Sequence, residues 1–122
     1  MAQVCVRGVR GAVAVDENTA AAILAATQEL LIELQKANSF TKEDVVSAIF
    51  TVTPDLTAAF PARGARELGW TTVPMLCAQE IPVPEAPAGI VRVLLHIRTE
   101  REPEEIRHIY LGRASQLRRD LS

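Results

Sequence analysis

The sequence is poor in cysteine, aromatics and lysine, and each scarcity removes a class of explanation. Two cysteines, Cys5 and Cys77, cannot build a disulfide framework, and neither lies in a C-x-x-C or Cys/His spacing suited to zinc. No metal site is expected, and a reduced cytoplasmic setting fits. The apolar runs around Val45 to Val52 and Ile90 to Ile97 are too short and too interrupted to span a bilayer, and the N-terminus lacks the apolar core of a signal peptide. A soluble, unprocessed protein without a membrane partner is the expectation. The formal net charge of −2 argues against general nucleic-acid binding, which needs a net basic face. No G-x-G-x-x-G or G-K-[ST] motif is present, which leaves a phosphate-binding loop without support. No Ser/His/Asp or Cys/His constellation surrounds a nucleophile, and His96 and His108 read as structural or surface groups.

What remains is a chain of 122 residues and 48% hydrophobic content, enough for one domain over residues 1–122 with a core of its own. With only Phe40, Phe50, Phe60, Trp70 and Tyr110 as aromatics, that core must be filled mainly by Val, Ile, Leu and Ala, and any exposed aromatic would stand out. Eleven of the thirteen basic residues are Arg, leaving only Lys36 and Lys42. The bias suits bidentate recognition of carboxylates, although base composition or thermal adaptation would also produce it.

The β-branched stretch from Val4 to Val15 predicts a strand, on which Arg7 and Arg10 point to opposite faces unless a bulge at Gly8 resets the register. Asp16 to Thr19 supplies turn and N-cap chemistry for a long helix with Ile23, Ala26, Leu30, Leu34 and Ala37 on one face. Thr41 and Asp44 form a capping-box pattern, with Phe40 and Val45 as a hydrophobic staple, and predict a second helix start. Val46 to Thr53 reads as a buried strand closed by Pro54, and Pro61 opens a short helix that carries Arg63 and Arg66 on one face and stops at Gly69. Val73 to Cys77 predicts a short strand, and residues 81–87 a proline-punctuated loop.

The clearest strand runs from Ile90 to Arg98. Val91, Val93, Leu95 and Ile97 make one apolar face, and Arg92, His96 and Arg98 flank Leu94 on the other. Glu102 to Glu105 predicts a further helix that continues through Ile106, Ile109 and Tyr110 to Gly112. The class is α/β or α+β, with a mixed sheet and helices packed on one face.

Arg10, Glu80, Arg92 and Tyr110 are the remaining candidates, and taken singly such residues are more often ion-paired or solvated than catalytic. Together they stand in Arg7-Gly8-Val9-Arg10-Gly11-Ala12, Val73 to Glu80, Ile90-Val91-Arg92-Val93 and Arg107-His108-Ile109-Tyr110-Leu111. With Ala48 to Leu56 and Ala59 to Trp70, these segments closely resemble the monofunctional AroH-class chorismate mutases over nearly the whole chain.

The resemblance implies a pseudo-α/β-barrel trimer, with active sites between neighbouring subunits, no cofactor, and chorismate as substrate. It implies Arg92 and Glu80 as catalytic groups. Arg10, Tyr110 and Leu117 would bind substrate from the same subunit, and Phe60, Ala62, Arg63, Arg66, Met75, Leu76 and Cys77 from the other. Arg118 would close the site from a mobile tail at about residues 111–122. The sequence departs from the family pattern at Arg63, where Lys is expected, at Met75 and Leu76, where small or hydroxyl side chains are common, and at Arg119, which replaces a proline. Two alternatives share the length and assembly: an enamine/imine deaminase that binds small carboxylates, and a non-catalytic trimer that senses an aromatic-pathway acid.

Overall fold

In the computed structural model, which describes residues 3–116, the opening stretch forms strand β1 (Cys5–Ala14). It pairs antiparallel with β4 (Ile90–Thr99) in unbroken register from Cys5↔Thr99 to Ala14↔Ile90. No bulge intervenes at Gly8, and Arg7 and Arg10 therefore lie on opposite faces. On its other edge β1 pairs in parallel with the short β5 (Ile109–Leu111). Strand β2 (Val45–Val52) runs antiparallel to β4 and parallel to β3 (Met75–Gln79). The result is a five-stranded mixed sheet in the order β3-β2-β4-β1-β5.

Helix α1 (Ala20–Asn38) begins where the Thr19 hydroxyl accepts the Ala22 N–H at 3.1 Å, and ends at Ser39 in left-handed geometry. Its buried stripe of Ile23, Leu30, Leu31 and Leu34 packs with Ala62 and Ala65 of α2 (Pro61–Glu67) against Val9, Val13, Phe50 and Val91, Val93, Leu95 and Ile97 of β4. Both helices thus cover one face. Each fully buried Leu, Ile or Phe there stabilises the fold by roughly 1.5–3 kcal/mol relative to exposure. The close seat of α1 requires Gly11, because a Cβ at that position would lie 2.9 Å from Leu34 Cδ1 and 3.0 Å from Leu30 Cδ1.

Two expected helices are absent. The Thr41/Asp44 capping box is formed, but it closes only a 3-10 turn (Lys42–Asp44) before the β-branched run from Val45 enters the sheet. Glu102 to Glu105 behaves alike. Glu105 caps the Glu102 N–H at 2.8 Å around a 3-10 turn (Pro103–Glu105), and the chain is extended again by Ile106. Tertiary partners decide this outcome. Ile106 is buried in the core, and the buried Asn38 amide claims the backbone of Arg107, accepting its N–H at 2.8 Å and donating to its carbonyl at 2.9 Å. A helix through Tyr110 would forfeit those bonds and the pairing of β5 with β1. Tyr110 accordingly stands on a strand. Strand β3 also lies two residues further along than Val73 to Cys77, and the proline-punctuated loop joins no strand. Beyond Leu111, residues Gly112–Gln116 form a 3-10 turn in which Ala114 is buried against Ala12 and Ile90.

Candidate active site

Period-two alternation leaves the sheet face opposite the helices to Arg10 and Ala12 of β1, Thr51 and Ile49 of β2, and Arg92, Leu94 and His96 of β4. Strand β5 adds Tyr110 beside Ala12, and the end of β3 delivers Glu80, whose N–H donates to the Val52 carbonyl at 2.8 Å. Arg10, Thr51, Glu80, Arg92, Leu94 and Tyr110 together line a cavity of about 260 Å³. The four residues singled out from separate sequence segments thus share one cavity.

The hydrogen bonding of this cavity is incomplete. The Arg92 Nε and the Tyr110 hydroxyl are both buried and have no hydrogen-bond partner among the described residues. Among the described residues the nearest anion is Glu80, whose Oε2 stands 3.9 Å from Arg92 Nε, beyond direct hydrogen-bonding reach. That carboxylate oxygen accepts a hydrogen bond from the Thr51 hydroxyl. A buried donor without an acceptor costs about 1–3 kcal/mol, so two converging on one cavity mark a place built for an acceptor-rich ligand. With Arg10 and Arg92 against the single Glu80, the charge favours an anion.

Arg10 has a further partner. Its backbone N–H donates to His108 Nδ1 at 3.0 Å. A backbone amide can only donate, so this bond requires Nδ1 to be unprotonated and places the neutral ring's proton on Nε2. Burial, followed by the nearby Arg10 cation, lowers the His108 pKa below its usual value and favours the same neutral form. His108 is therefore part of the scaffold of the site, a contact that residue order alone does not signal. Thr51 was also missed: strand alternation would place it opposite Phe50, but its register with Arg92 is visible only once β2 and β4 are paired.

A second cavity, of about 550 Å³, lies between the end of β2, the start of α2 and β3, and includes Phe60, Arg63 and Cys77 in its wall. Phe60 is the exposed aromatic, at 70% accessibility, whereas Trp70 and Phe50 are buried. Arg63 is turned toward Glu67, with Nε 3.3 Å from Oε2. Ala62 lies on the buried face of α2 and Met75 is half-buried against the core, whereas Arg66 and Leu76 are exposed and line neither cavity. Leu117 and Arg118 lie outside the described residues, as does Arg119.

Residues 6–121 match the family model for chorismate mutase type I. The chain belongs to the type I chorismate mutases. It is 47% identical to chorismate mutase AroH of Thermus thermophilus over 117 residues, covering 95% of this chain and 96% of that one. Against chorismate mutase AroH of Bacillus subtilis (strain 168), identity is 42% over 118 residues, covering 96% and 93%. The fold agrees with a solved chorismate mutase from Clostridium thermocellum, with a TM-score of 0.89 and 44% identity over 90% of this chain and 98% of that one. These relatives are all chorismate mutases, and none supports the deaminase alternative. No helix among the described residues is long and apolar enough to cross a membrane.

Proposed function

We propose that the protein is a chorismate mutase that converts chorismate to prephenate in aromatic amino acid biosynthesis, and that the cavity on the open sheet face supplies the catalytic half of its site. The observation that carries the residue assignment is the pair of unpartnered buried donors, Arg92 Nε and Tyr110 hydroxyl, beside the Glu80 carboxylate.

The reaction suits that arrangement. The ether C–O bond of chorismate breaks as a new C–C bond forms, electrons move around a six-membered array, and no proton need be transferred. The protein must hold the enolpyruvyl side chain over the ring and meet negative charge as it develops on the ether oxygen. Arg92 supplies a cationic donor aimed into the cavity, Glu80 accepts the ring hydroxyl, and Arg10 and Tyr110 hold the side-chain carboxylate. Cys77 has no nucleophilic task.

One chain carries Arg92 and Phe60 in separate cavities, which supports a site completed by a neighbouring copy in a trimer. The exposed Phe60, Leu76, Ile81 and Val83 are apolar surface suited to that contact. On this reading the second cavity of one subunit faces the catalytic cavity of the next, with Phe60 as an apolar wall and Arg63 as an added cation. By family pattern, Leu117 is assigned to substrate binding beside Arg10 and Tyr110, and Arg118 to closing the site. The free cysteines Cys5 and Cys77 fit residence in a reducing cytoplasm.

Purified protein mixed with chorismate should deplete its ultraviolet absorbance and yield prephenate, and sedimentation should give the mass of three chains. Binding of chorismate without turnover would make the protein a sensor on a mutase scaffold. Neither binding nor turnover would remove the substrate assignment.

A further inference from the structure

We propose that Thr51 is a positioning residue that holds Glu80 away from Arg92, so that Arg92 Nε stays available to the reacting oxygen; the inference rests on the mutase reading above. An arginine and a carboxylate side by side in a partly buried, apolar-walled cavity ordinarily close to a charge-assisted hydrogen bond of about 2.7–2.9 Å. Here the pair stands at 3.9 Å, and Nε has no other partner among the described residues. The oxygen that faces Nε, Glu80 Oε2, is the one that accepts the Thr51 hydroxyl.

The backbone makes this arrangement stiff. Thr51 sits opposite Arg92 in the β2/β4 register and opposite Ala78 in the β2/β3 register, so its side chain stands between the two charged groups. The Glu80 N–H is tied to the Val52 carbonyl next door, which leaves the carboxylate to be placed by its own torsions and by Thr51. As a β-branched residue in a strand, Thr51 has a restricted χ1, and its hydroxyl therefore points in a defined direction. Without that hydroxyl, Glu80 Oε2 is free to move onto Arg92 Nε. The cation would then spend its donor on the protein, and its gain on charge development in the transition state would fall.

Thr51→Val keeps the shape and branching and removes only the hydroxyl. It should lower kcat/KM about tenfold, chiefly through kcat, with an unchanged thermal midpoint, and Thr51→Ser should return to within about threefold of the wild type. In a Glu80→Ala background the same Thr51→Val change should cost less than about twofold, because its target is gone. Should Thr51→Val fail to fold, Thr51→Ala takes its place in the same cycle. Thr51→Val activity within twofold of an active wild type overturns the inference and leaves the mutase reading standing. An undiminished tenfold loss in the Glu80→Ala background also overturns it, since Thr51 would then act on substrate directly. A wild-type protein that forms no prephenate removes both.

Discussion

The two faces of the one sheet are built on opposite rules, and strand β4 belongs to both. Val91, Val93, Leu95 and Ile97 turn to the helices and are buried in the core, whereas Arg92, Leu94 and His96 turn to the open face and are half-buried. Among the described residues, the buried polar side chains on the helical side are paired. The Thr27 hydroxyl donates to the Ile23 carbonyl at 2.8 Å, and the Asn38 amide makes three hydrogen bonds to Leu34 and Arg107. On the open side, the Arg92 Nε and the Tyr110 hydroxyl have no partner among the described residues. A fold that satisfies polar groups on one face and leaves them wanting on the other has reserved the second face for something that binds there. On the proposed assignment stability is drawn from the helical face and chemistry from the open one, and substitutions should separate the two.

The sharpest separation comes from Phe50, fully buried beneath the helices on the strand that also carries Thr51. Phe50→Ala should cost about 3–5 kcal/mol of folding stability in a denaturant titration, through lost burial and the cavity left behind. The protein that remains folded should still turn over chorismate. A large loss of kcat in that folded fraction would show the faces to be coupled.

A smaller effect is expected at Gly89, where the chain turns into β4. Its φ is +70°, and an added Cβ would stand 2.8 Å from the Val15 carbonyl oxygen. Gly89 also donates its N–H to Asp55 Oδ1 at 3.1 Å, and its own carbonyl accepts the Val15 N–H at 2.7 Å. Gly89→Ala should therefore destabilise by about 1–3 kcal/mol through left-handed strain and displacement of that turn. A thermal midpoint equal to that of the wild type would show that the turn gives way without cost.

The least change is expected from acid, and it separates the faces by pH. The folded state holds His108 below its ordinary pKa near 6.5. Above that ordinary value both folded and unfolded chains carry the neutral ring, and the full contribution to stability is present. As pH falls from there toward the lower folded value, the unfolded chain takes up the proton first and stability declines. His108→Asn keeps an acceptor near the Nδ1 position and cannot titrate, so between about pH 7.5 and 5.5 its thermal midpoint should fall less than that of the wild type. Parallel profiles would mean that His108 does not titrate differently on folding. Asp55 acts in a lower window. Burial works to raise its pKa, but hydrogen bonds from the Thr53 side chain and the Gly89 N–H, aided by Arg113, outweigh it and hold the pKa below 3.8. The contribution of Asp55 is therefore present above that value and lost in stronger acid.

Most of the framework was legible in the residue pattern for a physical reason. The period-two alternation of β4 and the 3.6-residue stripe of α1 arise from burial of one face against the same core, and both were found within a residue or two. The segment from Glu102 to Tyr110 misled because its start has real capping chemistry, whereas its continuation is set by Asn38, 69 residues away in sequence from Arg107. Local signals cannot report such a partner. The same limit applies to the site. Arg10, Glu80, Arg92 and Tyr110 were visible as a family pattern, but the contacts of Thr51 with Glu80 and of Arg10 with His108 depend on strand register and chain crossing.

Arg92 carries the central claim, because the open face should have opposite effects on activity and stability there. With Arg92→Ala, kcat on chorismate should fall at least about a hundredfold, as expected for loss of about 3–4 kcal/mol of transition-state stabilisation. The thermal midpoint should hold or rise, since a buried donor without a partner has been removed. Turnover within tenfold of the wild type, or a stability loss comparable to that of Phe50→Ala, would contradict the division of the sheet into a face that folds the protein and a face that performs its chemistry.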